Sequence, residues 1–178
     1  MNTSHFDTFV PDLPGGLRGL PTFVTSDDIY QAFCLGNVPV LDLQIPDTRY
    51  VLLEKDWVLD TAITQFIRFK EAIHGLPIAE IYTVDTYDCN AFAIGFYMWL
   101  RDCHRLHWSR SFGNAAPGVG WGYTHNRDGM DVPKQHAINL IATNTQQGVR
   151  VCGIEPQTSG HHADYGLVER FSFSFMHY

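Results

Sequence analysis

The sequence predicts an α+β fold, because its helical patterns come first and its strand patterns follow. Apolar residues recur at helical spacing across Asp56–Ile73, and a second, almost wholly apolar helical pattern covers Asp88–Arg105. Two runs rich in β-branched residues, His136–Ala142 and Val149–Glu155, flank a polar turn as the arms of a β-hairpin would. Helices that precede a sheet along the chain favour α+β over a doubly wound fold.

Length and composition fit one globular domain spanning residues 1–178. Of the 178 residues, 45% are hydrophobic and 17% are charged. The formal net charge is −7 and no Lys/Arg cluster occurs, so neither nucleic acid nor a membrane is expected as a partner. The N-terminal stretch lacks the basic and apolar regions of a signal peptide. We therefore expect a cytoplasmic location, or a virion-associated one if a phage encodes the chain.

The first third of the chain predicts an arm, a short helix and two short strands. Residues 1–25 are punctuated by proline and glycine and indicate an extended arm. Ser26 is expected to cap a helix over residues 27–35, which Gly36 would end. Short apolar runs at Val38–Leu43 and Arg49–Leu53 indicate strands.

The remaining elements follow from punctuation and alternation. Gly75 and Pro77 should end the helix over Asp56–Ile73, and Ala79–Val84 should be a strand. Residues 109–135 predict a long loop in which Gly118–Gly122 forms a flexible rim. The alternating tail Phe171–Met176 predicts a half-buried strand.

Cys89 stands where a cysteine can be chemically active. Asp88 is a strong N-cap, which places Cys89 in the first turn of the apolar helix. There the helix dipole and the free backbone N–H groups favour a thiolate and can stabilise an oxyanion. The alternative is a cysteine buried at a helix start for packing alone.

His136 and Glu155 are expected to meet across the predicted hairpin. If the hairpin is symmetric about Thr145 and Gln146, His136 lies directly opposite Glu155. A carboxylate beside an imidazole fixes its tautomer and stabilises the imidazolium. A bulge at Gly148 would instead place the two side chains on opposite faces, and a purely structural pair is the alternative.

Three local strings carry a family resemblance over about residues 57–158. YDCNAFA, QHAINLI and GIEPQT resemble the Cys, His and Glu motifs of the papain-like protease domain of Marasmius-type fungal agglutinins and of its bacterial and phage relatives. The resemblance implies a central buried helix carrying Cys89, packed against an antiparallel sheet carrying His136 and Glu155. It also implies that Cys89 is the nucleophile, His136 the base and Glu155 the residue that orients the base.

Supporting roles follow from the same resemblance, with two departures. The residues expected to support the site or its oxyanion are Tyr87, Asp88, Asn90, Asn139 and Gln157. The usual oxyanion Gln upstream of Cys89 is missing, so a tyrosine hydroxyl (Tyr82 or Tyr87) or the Cys89 N–H would serve. Calcium supports the agglutinin, but Asn90 replaces the family's acidic residue and Gln135 its glycine, so no metal or other cofactor is expected here.

The function expected on these grounds is that of a thiol hydrolase, a cysteine peptidase or amidase acting on a peptide or amide substrate. A cell-wall amidase or endopeptidase of the thiol class uses the same order of residues, but its motif has a small residue after the cysteine. The alternative from another class is a catalytically silent papain-like structural, virion-associated or partner-binding protein. Fold alone does not separate these functions.

Overall fold

A computed structural model describes residues 23–35, 42–81, 88–107, 114–115, 117–124, 134–157, 164–167 and 171–177. Across these ranges helices and strands are mixed, and the helices lie mostly before the strands of the larger sheet, which confirms the α+β prediction. Most of the predicted N-terminal arm lies outside the described residues. Its last three residues, Phe23–Thr25, form a strand.

The helices include those that the apolar periodicity predicts over Asp56–Ile73 and Asp88–Arg105. They are α1 (Ser26–Leu35), α2 (Lys55–Trp57), a π-helical turn (Val58–Ala62), α3 (Ile63–His74), α4 (Ile78–Ile81) and α5 (Cys89–His107). The stretch from α2 to α3 is continuous and contains the predicted helix over Asp56–Ile73. Gly75 ends it with φ 66°, and its N–H donates to the Glu71 carbonyl at 2.8 Å.

The cap of α1 lies one residue earlier than predicted. The Thr25 hydroxyl accepts from the Asp28 N–H at 3.1 Å, while the Asp28 carboxylate accepts from the Thr25 N–H at 2.8 Å. This reciprocal pair is a capping box, and the Thr25 bonds lower the pKa of the Asp28 carboxyl. Ser26 is therefore the first helical residue and not the cap.

The strand predicted at Ala79–Val84 is wrong in its described part. Residues 78–81 form α4, in which the amides of Glu80 and Ile81 donate to the Pro77 carbonyl at 2.9 and 3.2 Å. The Glu71 carboxylate accepts from the Ile78 N–H at 2.9 Å and so caps this turn. A side chain from the preceding helix thus overrides the β-propensity of the segment; residues 82–87 lie outside the described ranges.

The strands form two sheets. They are β1 (Phe23–Thr25), β2 (Leu43–Gln44), β3 (Arg49–Val51), β4 (Asn114–Ala115), β5 (Pro117–Thr124), β6 (Lys134–Thr145), β7 (Gly148–Ile154), β8 (Asp164–Leu167) and β9 (Phe171–His177). The small sheet has the order β1-β3-β4, and the large one β2-β9-β5-β6-β7-β8. All neighbours in the large sheet are antiparallel except β2 and β9.

The long loop predicted at 109–135 is wrong, because it contains a central strand. β5 pairs with β6 on one side and with β9 on the other. Val119, Trp121 and Tyr123 alternate with glycines, so the segment has the period of a strand but a composition that disfavours one. Gly118–Gly122 is therefore part of the sheet, and not a flexible rim.

The β6–β7 hairpin forms with a register two residues away from the predicted one. Thr145 pairs with Gly148, so Gln146 and Gln147 make a two-residue turn and Ala142 lies opposite Val151. The Thr145 hydroxyl stabilises this turn by accepting from the Gln147 N–H at 3.1 Å. Because side chains alternate with period two, a shift of two residues leaves each one on its predicted face.

The large sheet is covered on both faces. On one face Phe66, Phe96 and Trp99 of α3 and α5 pack with Ile141 and Ile154 in the largest core cluster. On the other face Ile29 and Phe33 of α1 pack with Ile138 and Leu140 of β6. β6 therefore carries one set of side chains toward α5 and the alternate set toward α1. Within the described ranges, every helix is too short or too polar to cross a membrane.

Gly75 gives a test of the helix end. We expect Gly75→Ala to lower the free energy of unfolding by about 1–2 kcal/mol, since the left-handed conformation at φ 66° strains an L side chain. A Cβ atom there would meet nothing within 4 Å, so the cost is one of backbone conformation alone. Gly75→Asn should cost less, because Asn tolerates this region.

The matched control is Gly95→Ala in the middle of α5. There the helical backbone favours Ala, and the nearest atom to the new Cβ is the flexible Lys70 Nζ at 3.2 Å. Urea unfolding of the three variants measures the differences. Equal effects of Gly75→Ala and Gly75→Asn would contradict the conformational explanation.

Candidate functional site

The site begins at the N-terminus of α5, which Asp88 caps as predicted. The Asp88 carboxylate accepts from the N–H groups of Asn90 and Ala91 at 2.9 and 3.3 Å. These bonds satisfy two of the free donors of the first turn. Cys89 is thereby fixed as the first residue of α5, at the positive end of the helix dipole.

The Cys89 thiol is half-buried and activated. The His136 side chain hydrogen-bonds to it and lowers its pKa, against the opposing effect of burial. The Ala137 backbone N–H also donates to the sulfur and lowers the pKa further, while the nearby Asp88 charge raises it. The net result is a thiol pKa below its usual value, so the thiolate forms more readily than that of an ordinary cysteine.

His136 lies between the thiol and a carboxylate. Its Nε2 atom is 2.5 Å from Glu155 Oε2, which leaves the other ring nitrogen to face Cys89. Burial alone would lower the pKa of the imidazole, but the hydrogen bonds to Cys89 and Glu155, and their charges, raise it to about 9. The lowered pKa of the thiol and the raised pKa of the imidazole both favour a thiolate–imidazolium pair.

Glu155 reaches His136 from a position that differs from the predicted one. The β6–β7 pairing starts at Asn139 and Ile154, so Glu155 follows the last paired residue instead of lying opposite His136. The Glu155 side chain is only 8% exposed, and its other oxygen accepts from the Gln157 N–H at 3.2 Å. Gln157 thus contacts the site through its backbone amide, which holds the carboxylate in place.

Asn139 joins the helix of Cys89 to the strand of His136. Its side chain is fully buried, and its Nδ2 atom donates to the carbonyls of Ala93 at 2.8 Å and Gly118 at 3.3 Å. Ala93 lies one helical turn after Cys89, and Asn139 lies three residues after His136. A single amide therefore links α5, β5 and β6.

A groove of about 360 Å³ opens at the thiol. It is lined by Asp88, Cys89, Asn90, Trp121, Gly122, Gln135 and His136. Asn90 accepts from the Trp121 indole N–H at 2.8 Å, so it anchors a wall of the groove. The sequence analysis does not identify Trp121 and Gly122 as site residues, because it interprets their segment as a loop; the alternation of glycines with larger residues was the available signal.

The contact of the Ala137 amide with the thiol has no signal in the sequence, since almost every residue type carries a backbone N–H group.

Tyr82 and Tyr87, the tyrosines expected as oxyanion donors, lie outside the described ranges. Within those ranges no group of three or more His, Cys, Asp or Glu side chains could hold a metal ion. The structure therefore brings together Cys89, His136 and Glu155, with Asp88, Asn90, Asn139 and Gln157 around them.

Comparisons with known proteins identify a similar fold among solved structures. A structure described as the PSL1a–E64 complex matches with a TM-score of 0.59 and 16% identity over 86% of this chain and 50% of the other. Polyporus squamosus lectin, bound to Neu5Acα2-6Galβ1-4GlcNAc, matches with a TM-score of 0.58 and 14% identity over 86% and 49%. The chain thus spans about half the length of these chains. Neither a protein-family profile nor a curated protein sequence matches it.

These comparisons support the fungal-lectin part of the expected resemblance and correct the expected function. The fold is similar to that of a fungal lectin, while the papain-like protease assignment is not shown. The prediction of a cysteine peptidase or amidase acting on a peptide substrate is contradicted, because the neighbour named by its function is a lectin. The alternative prediction of a catalytically silent, partner-binding protein agrees better with the comparisons.

Replacing Glu155 by Gln tests whether the carboxylate charge acts on the thiol. The substitution keeps the size and the hydrogen-bonding capacity but removes the charge that raises the His136 pKa. The imidazole then loses its proton at lower pH, the thiolate loses its neighbouring cation, and the Cys89 pKa rises. We expect the alkylation rate of Cys89, measured against pH with iodoacetamide, to shift to higher pH. Superimposable profiles would show that Glu155 only fixes the strand end.

Replacing Asn139 by Leu tests its role in positioning the thiol. We expect a loss of about 1–3 kcal/mol in stability, because buried carbonyls lose a donor, and slower alkylation of Cys89 near neutral pH. Thr143→Val is the matched control, since Thr143 is a buried polar residue on the same face of β6, away from Cys89. An alkylation profile equal to that of the control would restrict Asn139 to a stabilising role.

Proposed function

We propose that this chain is a binding protein whose ligand groove contains a nucleophilic thiolate, so that a suitable electrophilic ligand is captured covalently at Cys89. The observation that carries the proposal is the hydrogen-bonded order Cys89–His136–Glu155 at the wall of an open groove. A cysteine kept only for packing has no need of a buried imidazole with a raised pKa beside it.

The chemistry of capture follows from the geometry. The Cys89 thiolate attacks an electrophilic carbon, for example of an epoxide, and a carbon–sulfur bond forms as the carbon–oxygen bond breaks. The His136 imidazolium gives its proton to the departing oxygen and becomes neutral. Glu155 keeps the ring oriented during this transfer, since it binds the opposite nitrogen.

One structure of similar fold supports the choice of E64 as a test ligand. It is described as the PSL1a–E64 complex. The second neighbour is described as bound to a sialylated trisaccharide, which makes a glycan the other ligand class to test. Both ligands come to this chain only as proposals, because identities of 16% and 14% show the fold alone.

Catalysis is a second candidate, and the same three residues favour it. The expectation that the chain is an enzyme is retained here as a proposal without the peptidase or amidase assignment. The papain-like resemblance supports it, since His136 lies where it could accept the thiol proton and return it to a leaving group. Such an enzyme would form a covalent intermediate at Cys89 and would need no metal. A cytoplasmic or virion-associated setting is part of the same proposal.

Labelling with E64 tests the proposed function. We expect the mass of the intact protein to increase by one E64 molecule, the adduct to map to Cys89, and Cys89→Ser to abolish the reaction. Cys34→Ser is the matched control, because Cys34 is an exposed free cysteine outside the groove. Titration with Neu5Acα2-6Galβ1-4GlcNAc, followed by protection of Cys89 from iodoacetamide, tests the glycan.

The outcomes separate the candidates. An E64 adduct at Cys89 that remains intact for hours supports capture. Repeated turnover of a chromogenic thioester, in which the Cys89 adduct forms, is released and forms again, supports an enzyme. Equal labelling of Cys34 and Cys89 by iodoacetamide at pH 6, with no E64 adduct, would contradict both.

A further inference from the structure

We propose that Trp121 forms an apolar subsite beside Cys89 that accepts a flat aromatic group of the ligand. The proposal rests on the proposed function, since it names the class of electrophile that the groove prefers. This class is an electrophile that carries an aryl group close to its reactive carbon.

The first support is the position of Trp121 relative to the reactive pair. Trp121 pairs with Ala137 across β5 and β6, and the next residue, Gly122, pairs with His136. Trp121 and Cys89 are both partly buried against the same small cluster, which contains Ala93, Tyr97, Val119 and Ala137. The indole therefore lies next to the thiol, and the missing side chain at Gly122 leaves space beside the imidazole.

The second support is an irregularity of the sheet at this point. Trp121 pairs with Phe175 of β9, but Gly122 pairs with Phe173, so the register shifts between Trp121 and Gly122. The extra residue, Ser174, lies on β9, so β9 bends where it passes Trp121 and Gly122, and such bulges are common beside functional sites. The register shift lies between Trp121, which forms a wall of the groove, and Gly122, which lines the groove without a side chain.

The third support is the hydrogen bond that fixes the indole. Trp121 Nε1 donates to Asn90 Oδ1 at 2.8 Å, and Asn90 Nδ2 donates to Asp88 Oδ2 at 3.3 Å. The capping residue of α5 therefore holds Asn90, and Asn90 holds Trp121 across the groove. Since the only polar atom of the indole is satisfied, the ring offers the ligand an apolar surface that is already oriented.

The chemistry of the groove selects among apolar ligands. An aryl group can pack against the fixed indole in an offset or edge-to-face arrangement. The groove volume of about 360 Å³ leaves room for a ring beside the reactive carbon.

Two alkylating reagents of equal chemistry test the subsite. Iodoacetamide and 2-iodo-N-phenylacetamide differ by one phenyl ring. The measured quantity is the alkylation rate of the phenyl reagent divided by that of iodoacetamide at Cys89, and this ratio is then divided by the same ratio at the exposed Cys34. We expect this normalised ratio to favour the phenyl reagent about three- to tenfold in the wild-type protein, in line with measured aromatic pair energies. It should fall to about one in Trp121→Ala, remain high in Trp121→Phe, and fall partly in Asn90→Ala.

The control is Tyr30→Ala, which removes an aromatic residue of α1 that is 53% exposed and outside the groove. A wild-type ratio in Trp121→Ala would overturn the subsite. If Trp121→Ala does not fold, as judged by circular dichroism, a wild-type ratio in folded Asn90→Ala overturns it instead. Failure of the proposed function is separate, because it shows in the wild-type protein as equal iodoacetamide labelling of Cys34 and Cys89 at pH 6 with no E64 adduct.

Discussion

The site depends on the packing of α5 against β5 and β6. Cys89 belongs to the helix and His136 to the strand, so a shift of the helix along the sheet would separate the thiol from the imidazole. Apolar contacts of Phe96 and Trp99 with α3 hold the middle of α5 without fixing its position along the strand. The buried Asn139 amide supplies that specificity, because its hydrogen bonds to Ala93 and Gly118 are satisfied at one position of the helix only.

Local signals were enough to predict the longer helices and the chemistry at the start of α5. The apolar period over Asp56–Ile73, the left-handed Gly75 and the Asp88 cap each act within one or two turns. Such features are encoded in neighbouring residues and need no knowledge of the rest of the fold. The position of Cys89 in a first turn was therefore predictable, whereas its Ala137 contact was not.

Features set by tertiary contacts were not predictable in the same way. β5 is a strand because β6 and β9 pair with both of its edges, although its glycines disfavour that state. Residues 78–81 are helical because Glu71 caps them from the preceding helix. The hairpin register was also ambiguous, since Thr145, Gln146 and Gln147 can all occupy a polar turn. The predicted register differs from the observed one by two residues. Because this shift is even, His136 and Glu155 keep the faces predicted for them.

Asn90 shows how one substitution fits both the electrostatics and the shape of the site. The Asp88 charge already raises the pKa of the Cys89 thiol, against the effects of His136 and Ala137. A second carboxylate at position 90, where the resembling family has an acidic residue, would add another negative charge next to the thiolate and oppose its formation. The neutral amide avoids this cost. It donates to Asp88 and accepts from Trp121 at once, which a carboxylate cannot do because it has no donor. Position 90 therefore connects the activation of the thiol to the shape of the groove around it.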